Sequence, residues 1–251
     1  MLTSQRKQLI LSRLAQEGQV VAKTLSAELE LSEDTIRRDL RELAAEGLLQ
    51  RVHGGALPAS PAVADFAGRQ QLATRGKVAI GRAAAAMVQK GQVVMLDGGT
   101  TAVQVARHLP KSLEATVVTH SPSVAVELAQ HPELEVILIG GRMFKHSVVA
   151  TGATALEQIG RIRADLFFMG VTGVHPRAGL TTGDFEEAAV KQALSRSAAE
   201  TVVLASAEKI GTASPYVVVP LSEVSGIITE RGVREELLEP FAALGIALTR
   251  A

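Results

Sequence analysis

Ser32-Glu33-Asp34-Thr35-Ile36-Arg37-Arg38-Asp39-Leu40 is the stretch on which the architecture turns. Ser32 offers a hydroxyl as N-cap, and Glu33 and Asp34 suit the positive end of a helix dipole, so a helix is expected from about Glu33. Ile36, Leu40 and Leu43 fall at i, i+4 and i+7 and form its buried stripe, which leaves Thr35, Arg37, Arg38 and Arg41 mostly off it. Gly47 is its stop. Working backwards, residues 3–16 place Leu9, Ile10, Leu11 and Leu14 at helical spacing before Gly18, and residues 22–29 read as a second short helix. Val20-Val21 is too short for a free strand and needs a later hairpin as partner. Residues 48–56 supply one, with alternation ending in Gly54-Gly55 as a small β-wing. Three helices and a wing in this order describe a winged helix-turn-helix, with the helix-turn-helix at about residues 20–39.

The whole chain has 251 residues and suits a small domain plus a medium one. It has no cysteine, which removes disulfides, thiolate metal sites and a cysteine nucleophile together. The opening MLTSQRKQLI lacks the apolar core of a signal peptide, and the run at residues 93–96 halts at Asp97, far short of a membrane span. A soluble cytoplasmic protein with no membrane partner is the expectation. Formal net charge is +0, and residues 1–57 carry eight Lys plus Arg against eight Asp plus Glu. A nucleic-acid argument therefore rests on where charges lie. On helix pattern alone, Arg37, Arg38 and Arg41 read equally well as a solvated face paired with Asp34, Asp39 and Glu42. Aromatic content of 3% leaves few stacking platforms for single-stranded nucleic acid or an unphosphorylated sugar.

From Pro58 the composition shifts to Pro, Ala and Ser, through Ser60 and Pro61, with little amphipathic pattern. Domains are expected at residues 3–58 and 75–251, with a linker at 59–74. Beyond it, β-branched runs at residues 93–96, 116–119, 136–139, 166–169, 201–205 and 226–229 alternate with helical segments. This is the pattern of an α/β domain with a mostly parallel sheet covered on both faces. After the first run comes Asp97-Gly98-Gly99-Thr100-Thr101 and then a helix over 102–109. Glycines let the backbone approach an anion, free amides at the helix start donate to it, and the threonine hydroxyls add donors. Thr119-His120-Ser121, Gly140-Gly141-Arg142 and the segment 170–173 stand at the ends of other strands, where open α/β sheets place ligands. Gly140-Gly141 also reads as a plain turn, and His120 as a hydrogen-bonded rim residue.

The N-terminal segment closely resembles the DeoR family of bacterial repressors. The shared elements are Arg6 in the first helix, the helix from Thr35 to Leu40, and the wing Arg51-Val52-His53-Gly54-Gly55-Ala56. The resemblance implies binding of double-stranded operator DNA through Thr35, Arg37, Arg38 and Arg41, with Arg51 and His53 reaching phosphate or the minor groove. Asp39 reads as an orienting partner for an arginine, and His53 taken alone as a turn residue. The rest of the chain resembles the sensor domain of that family, similar in fold to ribose-5-phosphate isomerase. The matching positions are Asp97, Gly98, Gly99, Thr100, Thr101, Thr119, His120, Ser121, Gly140, Gly141, Glu187, Lys191 and Lys209, with Lys77 in a further lysine position.

By that resemblance the effector is a phosphorylated sugar that relieves repression of a carbohydrate operon, and the protein is a homo-oligomer, dimer or tetramer, holding two heads on paired half-sites. No cofactor, metal or catalytic residue is expected. Two positions depart from the family: His120 stands where asparagine is common, and Ser206 where aspartate precedes the lysine by three. A histidine contacting the effector would make binding titrate between about pH 5 and 8. The competing reading is an active sugar-phosphate isomerase, in which Glu187, Asp165 or Glu208 serves as base.

Overall fold

The computed structural model describes residues 1–60 and 65–251. Pro61, part of the expected linker, lies outside them. The N-terminal head runs α1 (Thr3–Glu17), β1 (Val20–Val21), α2 (Ala22–Glu28), α3 (Glu33–Ala45), β2 (Leu49–Val52) and β3 (Gly55–Pro58). Local chemistry sets these boundaries. Gly18 closes α1 with φ 70, and Ser32 Oγ accepts from the Thr35 amide at 3.2 Å to cap α3. The two-residue β1 exists because it pairs antiparallel with β3, Val20 opposite Ala56 and Val21 opposite Gly55. A Cβ on Gly55 would lie 1.9 Å from the Val20 carbonyl oxygen, so the wing closes only with glycine there.

Ile10, Leu14, Leu25, Ile36, Leu40, Leu43 and Leu49 fill the head's core. One ion pair is buried beside it. Arg6 of α1 donates through Nη2 to Asp39 Oδ1 of α3 at 3.0 Å and through Nε to Oδ2, a bidentate lock that fixes one helix against the other. Asp39 orients an arginine as the sequence suggested, and the partner is Arg6 rather than a neighbour on its own helix.

The larger domain continues with α4 (Phe66–Gln71), α5 (Thr74–Ala85), β4 (Val93–Leu96), α6 (Thr100–His108), β5 (Ala115–Thr119), α7 (Pro122–Leu128) and β6 (Leu134–Leu138). A hairpin of β7 (Arg142–Phe144) and β8 (Val149–Thr151) leads to α8 (Ala153–Gly160) and β9 (Ala164–Gly170). Then come β10 (Gly173–His175), β11 (Gly179–Thr182), α9 (Phe185–Arg196), β12 (Ala198–Leu204) and β13 (Tyr216–Val217). The chain ends with β14 (Gly226–Thr229), α10 (Glu235–Ala243) and β15 (Ala247–Arg250).

Seven strands form one parallel sheet in the order β15-β14-β12-β9-β4-β5-β6. Successive residues of its central strands feed opposite faces. Met95, Phe167 and Val203 enter a core with α8, α9 and α10, while Leu96, Phe168 and Leu204 enter another with α5, α6 and α7. This is why the central strands read as continuous apolar runs. The connections step from β4 through β5 to β6 on one side and resume with β9 on the other. The crevice at the carboxyl ends of β4 and β9 is thus the topological switch point.

The stretch expected as linker carries more structure than its composition suggested. Ala59 bridges to Ala213, the Ser60 amide donates to the Ala213 carbonyl at 3.3 Å, and Ser60 Oγ donates to the Thr172 carbonyl. Residues 66–71 form α4, capped by Asp65 Oδ1 accepting from the Gly68 amide at 2.9 Å. Six residues with no buried side chain leave no periodic signature. A second contact joins head to domain, where Arg177 Nη1 donates to Gln19 Oε1 at 2.7 Å.

Asp39→Ala strands the buried Arg6 guanidinium and is expected to destabilise the head by about 3 kcal/mol, seen as a lower urea midpoint of the helical circular dichroism signal. Asp39→Asn, which keeps an acceptor, should lose less.

Candidate functional site

At the switch point a pocket is lined by Gly98, Gly99, Thr100 and Thr101, by Arg69, Lys77, Lys191 and Lys209, and by Thr172, Thr182, Glu187 and Glu208. Gly99 holds φ 96 at the start of α6, a conformation that L side chains rarely adopt, and no side chain caps the helix. A Cβ on Gly98 would lie 2.1 Å from Val149 Cγ1. The two glycines therefore present the free amides of the α6 N-terminus to the pocket. Thr101 Oγ1 is buried there without a hydrogen-bond partner among the described residues.

Beneath this loop Asp97 is fully buried and saturated. Its Oδ1 accepts from the Gly98 amide at 2.7 Å and from His120 Nε2 at 2.9 Å. Its Oδ2 accepts from the Gly170 amide at 2.8 Å and from Lys191 Nζ at 2.5 Å. Burial alone would push the Asp97 carboxyl up, but Lys191 and His120 together hold it well below the usual carboxylate range. Lys191 is likewise raised, since Asp97 and Glu187 outweigh the effect of burial on the ammonium. Glu187, 3.7 Å from Lys191, accepts a hydrogen bond from Thr182 Oγ1 at 2.6 Å.

Lys209 differs from Lys191. It makes no ion pair or hydrogen bond through its ammonium among the described residues, and burial pulls it down to about 8, with Glu208 opposing and Lys77, Arg69 and Lys191 adding to the fall. Lys77 donates to the carbonyls of Arg69 and Leu72 at 2.6 and 2.5 Å, and so closes the C-terminal end of α4. Arg69 donates through Nη2 to the His146 carbonyl at 3.2 Å and to Ser147 Oγ at 3.3 Å. Its place in the pocket went unseen in the sequence because it lies in the stretch read as linker.

Of the residues expected to meet the effector, Gly98, Gly99, Thr100, Thr101, Glu187, Lys191, Lys209 and Lys77 converge on this pocket. Asp97, Thr119, His120 and Ser121 do not line it. His120 lies behind Asp97, wholly buried, with Nδ1 2.9 Å from the Ala150 carbonyl oxygen, and so supports the floor of the pocket. The Thr119 hydroxyl accepts from the Ser121 amide at 3.1 Å, an internal turn. Gly140 and Gly141 are an exposed turn away from the pocket, where Gly141 has φ 154 and a Cβ would press to 2.8 Å from the Thr151 carbonyl. Ser206, buried, donates to Glu208 Oε1 at 2.6 Å.

On the head, Arg37, Arg38, Arg41, Arg51 and His53 are exposed and Thr35 is half-buried. Arg37 pairs with Glu33 at 2.7 Å. Of the three acids expected to neutralise this face, Asp39 is engaged with Arg6 and Glu42 with Lys7, while Asp34 forms no ion pair among the described residues. Arg38, Arg41 and Arg51 form no ion pair among the described residues, which leaves one face of α3 and the wing with uncompensated cations.

Residues 6–61 match the DeoR-like helix-turn-helix domain, and residues 72–231 match the DeoR C terminal sensor domain. The chain belongs to the DeoR family. It is 34% identical over 250 residues to the HTH-type transcriptional regulator GlpR of Haloferax volcanii, covering 99% of this chain and 98% of that one. It is 30% identical over 233 residues to the HTH-type transcriptional repressor GlcR of Bacillus subtilis, covering 92% and 90%. Among solved structures, ribose 5-phosphate isomerase A of Methanocaldococcus jannaschii aligns with a TM-score of 0.39 at 20% identity, over 53% of this chain and 52% of that one. As a DeoR-family protein the chain is a transcriptional regulator. No helix of its described residues is long and apolar enough to cross a membrane.

Lys191→Met leaves Asp97 a buried carboxylate without its ammonium and is expected to cost about 3 kcal/mol in denaturant unfolding of the larger domain. Adding Asp97→Asn should recover part of that loss, a non-additivity that identifies the pair.

Proposed function

We propose that this regulator represses a carbohydrate operon and is released by a phosphorylated sugar that binds at the switch-point pocket. The observation that carries the reading is Lys209. It is a buried ammonium with no anionic partner in contact, set beside Arg69 and Lys77, over a glycine loop whose helix-start amides and Thr101 hydroxyl lack acceptors. A phosphate dianion supplies the acceptor oxygens and the negative charge that this arrangement lacks.

The exposed arginines of α3 contact operator DNA, with Arg38 and Arg41 free for base edges or phosphate and Arg51 and His53 of the wing following the backbone. A homo-oligomer, dimer or tetramer, sets two heads on half-sites about one helical turn apart. The head spans residues 3–58 and the effector domain 75–251, with 59–74 between them supplying Arg69 to the pocket.

Catalysis is not part of this reading. Asp165 accepts from the Val93 amide at 2.8 Å at the amino ends of the strands, opposite the pocket. Glu187 and Glu208 are held by Thr182 and Ser206. Turnover of pentose or hexose phosphates by the purified protein would overturn this judgement.

A thermal-shift panel of sugar phosphates against the matching free sugars tests the effector, with stabilisation by phosphate esters alone as the expected result. Because an anion favours the protonated amine, binding should be strong near pH 7 and weaken as pH rises through about 8, where free Lys209 loses its proton. The phosphate is already dianionic there. Lys209→Met should bind weakly and without that pH dependence. For DNA, Arg38→Ala should weaken operator binding by about 1 to 3 kcal/mol if the side chain reads a base, with relaxed preference at one position. A phosphate contact would instead weaken all sequences alike and reduce the salt slope by about 1.

A further inference from the structure

A second cavity adjoins the pocket. Phe144, His146, Asp184, Ser214 and Pro215 form its walls, and it shares Ser147, Thr172 and Glu187 with the phosphate pocket. Those three side chains form a wall common to the two spaces.

The placement of aromatic residues sets this cavity apart. The chain has six phenylalanines and one tyrosine. Phe167, Phe168 and Phe241 are wholly buried, and Phe66 packs against the core. Of the remaining three, Phe144 stands in the cavity wall, and Phe185 and Tyr216 are chain neighbours of wall residues. Phe144 stacks on His146 with ring centroids 5.7 Å apart and planes 26° from parallel. Phe185 and Tyr216, which directly follow the wall residues Asp184 and Pro215, meet edge to face at 5.7 Å, and Phe185 is left 69% exposed. Exposed aromatic surface beside polar groups is what the apolar face of a sugar ring covers.

Polar groups of the right kind stand in the wall. Asp184 uses Oδ1 to cap α9 through the Glu187 amide at 2.9 Å, and its Oδ2 has no protein partner among the described residues. The Ser214 and Thr172 hydroxyls lie 2.7 Å apart. No lysine or arginine lines this cavity, whereas four line the phosphate pocket. Each cavity carries two carboxylates, Glu187 and Glu208 in the first and Asp184 and Glu187 in the second, but only the first has cations to offset them.

We propose that this cavity is the subsite for the sugar ring of the effector, which makes the effector a ring-forming sugar carrying a single phosphate. The inference rests on the phosphate reading above. The phosphate sits against the glycine loop and Lys209, the ring lies along Phe144, and its hydroxyls donate to Asp184 and Glu187. A second phosphate at the far end would face two carboxylates and is rejected. A three-carbon phosphate fills the first pocket and gains nothing from the second.

Calorimetry on the full chain tests this with inorganic phosphate, glyceraldehyde 3-phosphate, a set of pentose and hexose monophosphates, and fructose 1,6-bisphosphate. The expected result is that one or more ring monophosphates bind at least about tenfold more tightly than the triose phosphate, and that the bisphosphate binds more weakly than its monophosphate. Phe144→Ala should erase about five- to tenfold of the ring preference while leaving inorganic phosphate unchanged. Phe144→Leu, which keeps bulk without the ring, serves if the alanine variant fails to fold. Equal binding of triose and ring phosphates, or a preference untouched by both variants, overturns the subsite and leaves the phosphate pocket standing. No phosphate binding at all overturns both. If sedimentation shows that the variants change the oligomer while effector binding stays the same, the aromatic face belongs to a second copy of the chain and the subsite is wrong.

Discussion

One carboxylate organises the effector domain. Asp97 gathers the Gly98 and Gly170 amides, His120 and Lys191 around two oxygens, and so ties the ends of β4 and β9, the turn after β5 and the middle of α9 to a single point. Burying an unpaired carboxylate costs several kcal/mol, and only a complete set of donors offsets it. Any rearrangement that removes one donor exposes that penalty, so the four segments move together or not at all. The glycine loop above inherits this rigidity, which is what lets backbone amides present a fixed set of donors to an anion.

The same point explains why Asp97 and His120, expected as ligand contacts, lie beneath the pocket lining. Sequence pattern places a polar residue at the carboxyl end of a strand, and that is where ligands bind, but it does not distinguish the surface of the crevice from its floor. Lys191 and Lys209 show the ambiguity from the other side. Both are buried lysines of the same crevice, yet Asp97 claims one and leaves the other uncommitted. No feature of the sequence separates them, because the distinction depends on which side chain α9 turns toward β4.

Periodicity was legible where burial is one-sided or complete. The stripe of Ile36, Leu40 and Leu43, the Gly54-Gly55 wing and the six core strands all followed from it. It failed for α4, whose six residues bury no side chain and whose position depends on Asp65, Lys77 and Arg69. The hairpin of β7 and β8 was also unread, since three-residue strands carry too little alternation to register. Long-range pairings such as Arg6 with Asp39 were visible as residue types but not as partners: the two lie 33 positions apart, and only the packing of α1 on α3 joins them.

Ser60 gives the join between head and sensor a mechanical character. Its hydroxyl is bonded to the carbonyl of Thr172, a wall residue of the switch-point pocket, and it follows the last residue of the wing by two positions. The head is thus mounted on the pocket wall by a stub rather than hung from a tether. A stub has almost no slack to absorb displacement, and a small rotation at its root is multiplied by the length of the head before it reaches the far end of α3.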